Sequence, residues 1–452
     1  MMDATDWLVR SFALLLPSME PKAHDTRLPR STRERLQATL RRDPEAMSPR
    51  ALRRTLVDLQ SIVDPQVSEV EGARRAHAFA DWYARAGQQE RYDCWLLMSE
   101  QFAPDPAKVK AARDHYDAAV GTPEEAQAEI RLRRAFVSPR TRLLQRFAGY
   151  PEGMRLLLDL RADLLPHLKA DRRLLPLDAE LETLFSTWFD VAFLELRRIS
   201  WDSPASLVEK LIQYEAVHDI RSWADVKNRL DSDRRCYGFF HASLPGEPLI
   251  FVEVAFMNEM ADSITPLLDE HGEAADLARA TTAIFYSISN TQRGLKGVSF
   301  GDSLIKRVVE ELRTEFPRLR TFATLSPIPS LRSWMGKHAP AELLAALNDP
   351  LALPPRSPRR QQLLAWAARY LVKELENGRP CDPVARFHLG NGARVERLNW
   401  GADPSPKGLK QSYGLMVNYL YDVKRLDRNR TLLAQGRVPA SSQVEDLMER
   451  GG

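Results

Sequence analysis

Hydrophobic positions recur at helical spacing over about the first 190 residues, with almost no alternating runs. A capping box at Ser31–Glu34, a serine followed three residues later by a glutamate, predicts a helix start. After Pro151 an apolar stripe follows one helix face, through Met154, Leu157, Leu158, Leu160, Leu164 and Leu165. This part of the chain shows no fixed repeat period, and the pattern predicts a helical bundle used for packing or assembly.

The hydrophobic pattern changes to short strand-like runs after about residue 190. Two aromatic and β-branched runs flank the turn sequence LPGEP in CYGFFHASLPGEPLIFVEVAF, between Cys236 and Phe256, which predicts a hairpin. A further strand is predicted at TTAIFYSIS, Thr281 to Ser289. The glycine-containing loop NTQRGLKGVSFG, the amphipathic helix DSLIKRVVEELRTEF and the strand LRTFATL follow in that order. The sequence therefore predicts strand, glycine loop, helix and strand.

The last third of the chain is expected to be mostly helical between Ala341 and about Asn377. The dipeptide Asn391-Gly392 between alternating runs in PVARFHLGNGARVERLNW predicts a second hairpin, with His388 just before its turn. The segment SYGLMVNYLYDVKRL, residues 412–426, is predicted to be a helix that contains Tyr419 and Tyr421. The fold class expected from these patterns is α+β, with a helical domain over 1–188 and a mixed domain over 189–452.

Composition and charge exclude several classes of protein. The 452 residues are 44% hydrophobic and 28% charged, and 64 Lys and Arg against 61 Asp and Glu leave a net charge of +3. This balance is ordinary for a globular protein and shows no nucleic-acid signature. No run approaches the roughly 18 apolar residues that a membrane span needs.

Cysteine usage and the start of the chain indicate a reducing compartment. Cys94, Cys236 and Cys381 are far apart and form no CxxC pair, so neither a disulfide framework nor a zinc site is expected. The apolar stretch near the start contains Arg10 and follows acidic residues, which is wrong for a secretory signal. Cytoplasmic location and no metal site are therefore expected.

A serine before two prolines, in the stretch TLSPIPS from Thr324 to Ser330, is a first candidate for chemistry. Proline fixes φ and pushes the residue before it to an extended conformation, so Ser326 is expected on a rigid corner after a strand. The corner is either a strand terminator, since Ser-Pro is a common turn signal, or a device that holds a hydroxyl in place.

The loop RGLKGVSFG is a candidate anion site because it contains Gly294, Gly297 and Gly301 and opens a helix. Backbone amides at a helix N-terminus bind phosphate, and Lys296 adds a positive charge. The spacing matches neither GxGxxG nor GxxxxGK[ST], and a flexible connector is the alternative.

His388 is one of nine histidines, and a lone histidine near a turn is either structural or catalytic. It can meet Ser326 if the hairpin that carries it packs near the end of the strand that carries Ser326. The chain has no GxSxG elbow and no HExxH, which argues against the common hydrolase and metalloenzyme motifs.

Several blocks of the sequence together resemble the malonyl-CoA decarboxylase family. They are SISNTQRGLKGVSFGDSLIKRVVEELRTEFPRLRTFATLSPIPSLRSW, FHLGNGARVERLNWGAD, YGLMVNYLYD, RRCYGFFHASLPGEPLIFVEVA and EAVHDIRSWADVKNRL, spread over about residues 180 to 430. The resemblance implies an N-terminal helical domain used in oligomer assembly and a C-terminal domain similar to the GNAT acetyltransferases. It also implies conversion of malonyl-CoA to acetyl-CoA and carbon dioxide without metal or organic cofactor.

The resemblance also implies roles for particular residues. Ser326 corresponds to the family's serine that accepts a proton or contacts the malonyl carboxylate, and His388 to its proton donor. Tyr421 is an expected active-site hydroxyl, and Ser287 a weaker substrate-binding candidate. The loop expected to hold coenzyme A comprises Lys296, Gly297, Val298, Ser299, Phe300, Gly301 and Asp302. The expected partners are malonyl-CoA and acetyl-CoA, with a homo-oligomer, a dimer or a tetramer, as the assembly.

Two positions depart from the resemblance. Ser299 stands where some relatives have a glutamate, which puts an essential role for that carboxylate in doubt here. Ala205 stands where some relatives carry a cysteine, so an inter-subunit disulfide at that point is excluded. Two other functions stay open, a coenzyme A-dependent acyltransferase on the same fold and a non-catalytic binding or scaffold protein.

Overall fold

The computed structural model describes residues 47–64, 66–300 and 304–449. The predicted capping box at Ser31–Glu34 lies outside these ranges, as do Gly301 and Asp302 of the glycine loop. The chain divides into two compact units. One contains the residues up to Phe185 together with Arg293–Leu295, and the other contains Ser186–Gln292 and the chain from Lys296 onwards.

The first unit is built from helices. Side-chain oxygens of Ser68, Asp105 and Ser138 accept backbone N–H groups in the first turns of three of them, which satisfies donors that a helix leaves unpaired. The helices are α1 (Pro49–Val63), α2 (Glu69–Arg85), α3 (Gln88–Gln101), α4 (Pro106–Ala119), α5 (Glu125–Phe136), α6 (Pro139–Ala148), α7 (Gly153–Leu164) and α8 (Leu175–Trp188), which extends past the unit boundary, with 3-10 turns at Leu165–His167 and Arg172–Leu174.

Helix α7 confirms the leucine stripe predicted after Pro151, because Leu157, Leu158, Leu160 and Leu164 are fully buried. The same helix holds the Arg293–Leu295 turn. Arg161 donates from Nη1 to the Gly294 carbonyl at 2.7 Å and from Nε to Asp178 at 2.8 Å. A Cβ at Gly294 would lie 2.1 Å from the Leu158 carbonyl oxygen. Gly294 is therefore required for close backbone packing.

The second unit contains the sheets and the remaining helices. Its strands are β1 (Glu195–Ile199), β2 (Arg234–Phe240), β3 (Pro248–Met257), β4 (Thr282–Asn290), β5 (Thr321–Thr324), β6 (Ser326–Pro327), β7 (Leu375–Glu376), β8 (Arg379–Pro380), β9 (Arg394–Asn399) and β10 (Met416–Leu420). Its helices are α9 (Ala205–Tyr214), α10 (Trp223–Arg229), α11 (Leu304–Glu315), α12 (Leu331–His338), α13 (Ala341–Ala345), α14 (Pro358–Val372), α15 (Pro383–Gly390), α16 (Pro406–Ser412), α17 (Leu426–Ala434) and α18 (Ser442–Glu449), with 3-10 turns at Val191–Phe193, Thr265–Leu267 and Pro350–Ala352.

The large sheet has the strand order β1-β2-β3-β4-β5-β10-β6, with β9 also paired to β10. The pair β4 and β5 is parallel and is connected through α11, whereas the other pairs described are antiparallel. Together with the helical first unit, this mixed sheet confirms the α+β class. The hairpin predicted around LPGEP is β2–β3, and the predicted strand, loop, helix and strand are β4 to β5.

The prediction of a hairpin at Asn391-Gly392 is wrong for the residues that precede the turn. The residues before the turn form helix α15, because Asp382 caps the backbone N–H groups of Val384 and Ala385 at 2.9 and 3.0 Å and Pro383 starts the helix. The turn then leads through Gly392, at a φ of 85°, into β9. His388 therefore lies in the last turn of a helix.

The helix predicted over residues 412–426 is also wrong. Met416–Leu420 form strand β10, which lies between β5 or β6 on one side and β9 on the other. Its first four residues are buried on both faces, so the polar and apolar alternation that marks a half-exposed strand is missing. A short apolar run of this kind cannot be distinguished from a buried helix by its pattern.

Candidate functional site

The three residues expected to carry chemistry, Ser326, His388 and Tyr421, lie together in the second unit. Ser326 Oγ is 3.1 Å from His388 Nε2, and His388 Nδ1 is 2.7 Å from the Tyr421 hydroxyl oxygen. Their exposed fractions are only 5%, 3% and 3%. The imidazole therefore has one hydroxyl at each nitrogen, in a site almost closed to water.

Three elements of the second unit hold these side chains. Ser326 begins strand β6, where it pairs with Val417 of β10, and the strand ends at Pro327. His388 comes from the last turn of α15. Tyr421 follows β10 directly, and its backbone N–H donates to the Phe322 carbonyl of β5 at 2.8 Å. Paired backbone on both sides thus fixes the serine and the tyrosine relative to each other.

Two neighbouring residues, not predicted from the sequence, complete the network. Ser326 donates from Oγ to Thr324 Oγ1 at 2.8 Å, and the Tyr419 backbone N–H donates to the same threonine oxygen at 3.1 Å. The Tyr419 ring stacks on His388, with centroids 4.7 Å apart and an interplanar angle of 25°. The available signal was the i, i+2 spacing of Thr324 and Ser326, which puts both side chains on one face of an extended chain.

Burial determines the charge of this network. It lowers the pKa of His388 to about 3 and raises the pKa of Tyr421 well above its usual value. At neutral pH the network therefore consists of a neutral imidazole and neutral hydroxyls. These uncharged side chains can donate hydrogen bonds and a proton to a bound anion, and they carry no negative charge that would repel it.

The Asn418 side chain holds the backbone of the residues that form the network. Asn418 Nδ2 donates to the carbonyl oxygens of Thr324 and Ala261 at 2.7 and 3.0 Å, while its Oδ1 accepts from Asn399 Nδ2 at 2.7 Å and from Arg397 Nε at 3.1 Å. Asn418 is fully buried, so each of these bonds replaces water that the side chain has lost. Asn418 therefore connects β10 to the carbonyl of Thr324, the residue whose hydroxyl contacts Ser326.

Ser287, the weaker substrate-binding candidate, lies in a second polar network. Its Oγ is 2.8 Å from both carboxylate oxygens of Glu215, which also accepts the backbone N–H groups of Val217 and His218 at 2.7 and 2.9 Å. Among the hydrogen bonds described for residues 47–64, 66–300 and 304–449, none joins Ser287 to Ser326. Its role in substrate binding stays a prediction.

The predicted coenzyme A loop precedes α11, as the sequence indicated. Lys296, Gly297 and Ser299 are exposed, whereas Val298 and Phe300 are buried. Gly297 has a φ of 82° with open space around the position of a Cβ, so its backbone conformation is the reason for glycine there. Phosphate binding by this loop stays a prediction.

Across the described part of the chain, no three His, Cys, Asp or Glu side chains are grouped so that they could hold a metal ion. The described helices include none long and apolar enough to cross a membrane.

Comparison with known proteins relates both parts of the chain to one family. A family model described as the malonyl-CoA decarboxylase C-terminal domain matches residues 192–451, and one described as the N-terminal domain of the same family matches residues 102–189. The mitochondrial malonyl-CoA decarboxylase of Rattus norvegicus is 36% identical over 379 residues, which cover 71% of this chain and 73% of the rat protein.

Solved structures give the same relation. The malonyl-CoA decarboxylase of Rhodopseudomonas palustris aligns with a TM-score of 0.78 and 40% identity, over 87% of this chain and 99% of that protein. The malonyl-CoA decarboxylase of Cupriavidus metallidurans aligns with a TM-score of 0.69 and 42% identity, over 88% of this chain and 100% of that protein.

Proposed function

The chain belongs to the malonyl-CoA decarboxylase family, and we propose that it acts as a carboxy-lyase that converts malonyl-CoA to acetyl-CoA and carbon dioxide. The observation that carries the proposal is the contact between Ser326 Oγ and His388 Nε2 at 3.1 Å. The two residues are 62 positions apart and come from the two sequence blocks that the resemblance singled out. The proposal needs no metal or organic cofactor.

Loss of carbon dioxide leaves the electron pair of the broken carbon–carbon bond on the thioester as an enolate. The carboxylate must leave perpendicular to the thioester plane, and holding it in that orientation can supply several kcal/mol. We assign this contact to the Ser326 hydroxyl, which β6 and β10 hold by backbone pairing. A hydrogen-bond donor to the enolate oxygen would supply about 3–4 kcal/mol more.

The enolate α-carbon must then take a proton, and we assign its donation to His388. A positioned general acid contributes roughly 10²–10⁴-fold to a rate. The low pKa of His388 means that the proton comes from a neutral imidazole N–H. The Tyr421 hydroxyl, 2.7 Å from the other ring nitrogen, stabilises the imidazole as that proton leaves.

We further propose that Lys296 to Asp302 hold the phosphates of coenzyme A, through backbone amides before α11 and the Lys296 charge. The domains over 1–188 and 189–452 would serve assembly and catalysis, in a homo-oligomer that is a dimer or a tetramer. Cytoplasmic location stays a prediction.

The decarboxylase proposal is tested with the full chain, malonyl-CoA and a chelator, and with no acyl acceptor. We expect acetyl-CoA and carbon dioxide in equal amounts, and a rate at least about 10²-fold lower in Ser326→Ala, because the carboxylate contact is lost. Ser232→Ala, which changes an exposed serine, is the matched control and should keep the wild-type rate. Product that forms only after an amine or alcohol is added would replace the decarboxylase by an acyltransferase.

The Tyr421 hydroxyl is expected to affect kcat only through its hydrogen bond to His388. Tyr421→Phe should lower kcat by about tenfold, since one hydrogen bond to a buried imidazole is worth about 1.4 kcal/mol. Tyr419→Phe is the control, because the Tyr419 hydroxyl has no hydrogen-bond partner in the part of the chain that is described. Equal kcat values in the two variants would remove Tyr421 from the mechanism.

A further inference from the structure

Thr324 is a fully buried residue whose hydroxyl has no role in the proposed mechanism. Its Oγ1 accepts two hydrogen bonds, from the Ser326 hydroxyl at 2.8 Å and from the Tyr419 backbone N–H at 3.1 Å. Its own carbonyl is held by Asn418 at 2.7 Å, and its strand pairs with β4 on the other side. The position of this hydroxyl is therefore fixed by backbone on two sides.

The count of hydrogens then assigns the direction of each bond in the network. A serine hydroxyl carries one hydrogen, and that of Ser326 points to Thr324. The contact between Ser326 Oγ and His388 Nε2 therefore requires a hydrogen on Nε2. A neutral imidazole carries only one, so Nδ1 is an acceptor and takes the hydroxyl hydrogen of Tyr421. Before substrate binds, all bonds run in one direction, from Tyr421 through His388 and Ser326 to Thr324. On binding, the malonyl carboxylate takes over the Ser326 hydrogen from Thr324, and Nε2–H still faces Ser326.

We infer that Thr324 is a positioning residue that takes the hydroxyl hydrogen of Ser326 and so keeps the single N–H of His388 on Nε2, facing Ser326. The inference rests on the proposed function only for its catalytic consequence. Without an acceptor at Thr324, the serine hydrogen would turn to Nε2 and the imidazole would carry its hydrogen on Nδ1 instead. The nitrogen beside Ser326 would then have no proton to donate.

The consequence for the reaction follows from the balance of protons. Carbon dioxide leaves with the carbon–carbon bond broken, and the α-carbon of the enolate forms a C–H bond with the hydrogen of His388 Nε2. Nδ1 takes the Tyr421 hydrogen in the same step. Water then protonates Nε2 and leaves hydroxide, while Nδ1 returns its hydrogen to the Tyr421 phenolate, so that the starting tautomer is restored. Each turnover thus consumes one malonyl-CoA anion and one water, and it forms acetyl-CoA, carbon dioxide and hydroxide.

The test compares Thr324→Val, which keeps the shape and loses the hydroxyl, with Thr324→Ser, which keeps the hydroxyl. We expect Val to lower kcat at least about tenfold with KM within about twofold, and Ser to restore kcat to within about threefold of wild type. In a Ser326→Ala background, Thr324→Val should have almost no further effect on kcat, because the threonine acts through the serine. Additive losses in that double variant would overturn the inference.

A second measurement does not depend on turnover. The nitrogen-15 chemical shifts of histidine-labelled protein, with His388 assigned from the spectrum of His388→Asn, report which ring nitrogen carries the hydrogen. We expect Nε2–H in the wild type and in Thr324→Ser, and Nδ1–H in Thr324→Val. The same tautomer in all three proteins would overturn the inference. A wild-type chain that forms no acetyl-CoA but shows these shifts would overturn the proposed function alone.

Discussion

Replacing His388 with asparagine is expected to lower kcat for acetyl-CoA formation by about 10²–10⁴-fold with little change in KM. Asparagine keeps a polar group of smaller size beside Ser326, but its amide does not donate a proton to carbon near neutral pH. The stacked ring on Tyr419 and the bond to Tyr421 are lost together. Steady-state rates of acetyl-CoA release, measured by chromatography, provide the value.

The control for this prediction is His271→Asn, an exposed histidine in the loop between β3 and β4, which should keep the wild-type rate. Thermal unfolding of both variants separates lost chemistry from lost folding. If folded His388→Asn protein retains more than about a tenth of the wild-type kcat, another group protonates the enolate.

Replacing Arg229 with methionine is expected to lower the free energy of unfolding by about 3–5 kcal/mol. The guanidinium is fully buried, where it donates to Asp225 Oδ1 at 2.7 Å, to Glu253 Oε2 at 2.9 Å and to the His218 carbonyl at 2.9 Å. Methionine fills much of the volume, but it leaves two buried carboxylates without their cation. Urea unfolding at pH 7.5 measures the loss, with Lys227→Met, an exposed position on the same helix, as the control.

The loss is expected to grow with pH because of Glu253. Burial, with the nearby Glu215 charge second, raises the pKa of Glu253 to about 7. A carboxyl whose folded pKa is raised contributes stability below its unfolded value, near 4.5, and loses it as the pH rises through about 7. Without Arg229 that pKa rises further, so the two proteins should differ more at pH 8 than at pH 6. A loss below about 1 kcal/mol at pH 8 would show that the carboxylates find other partners.

Local patterns predicted much of this fold because they depend on neighbours in sequence. The stripe of α7, the β2–β3 hairpin and the amphipathic α11 each follow from residue spacing within one element. One of the two wrong predictions concerns an element whose local signals compete, and the other concerns β10, whose buried apolar run matches a helix as well as a strand. Asn391-Gly392 resembles a hairpin turn, although the Asp382-Pro383 start signal makes the preceding residues helical.

The sequence alone determined the α+β class, the strand, loop, helix and strand around the glycine loop, and Ser326 and His388 as candidates. Only the tertiary structure decided that Ser326, His388 and Tyr421 form one network, and that Thr324 belongs to it. The physical reason is that these contacts join side chains up to 62 residues apart, through the register of β10 against β5, β6 and β9. That register depends on partners on both sides of the strand, which no local pattern contains.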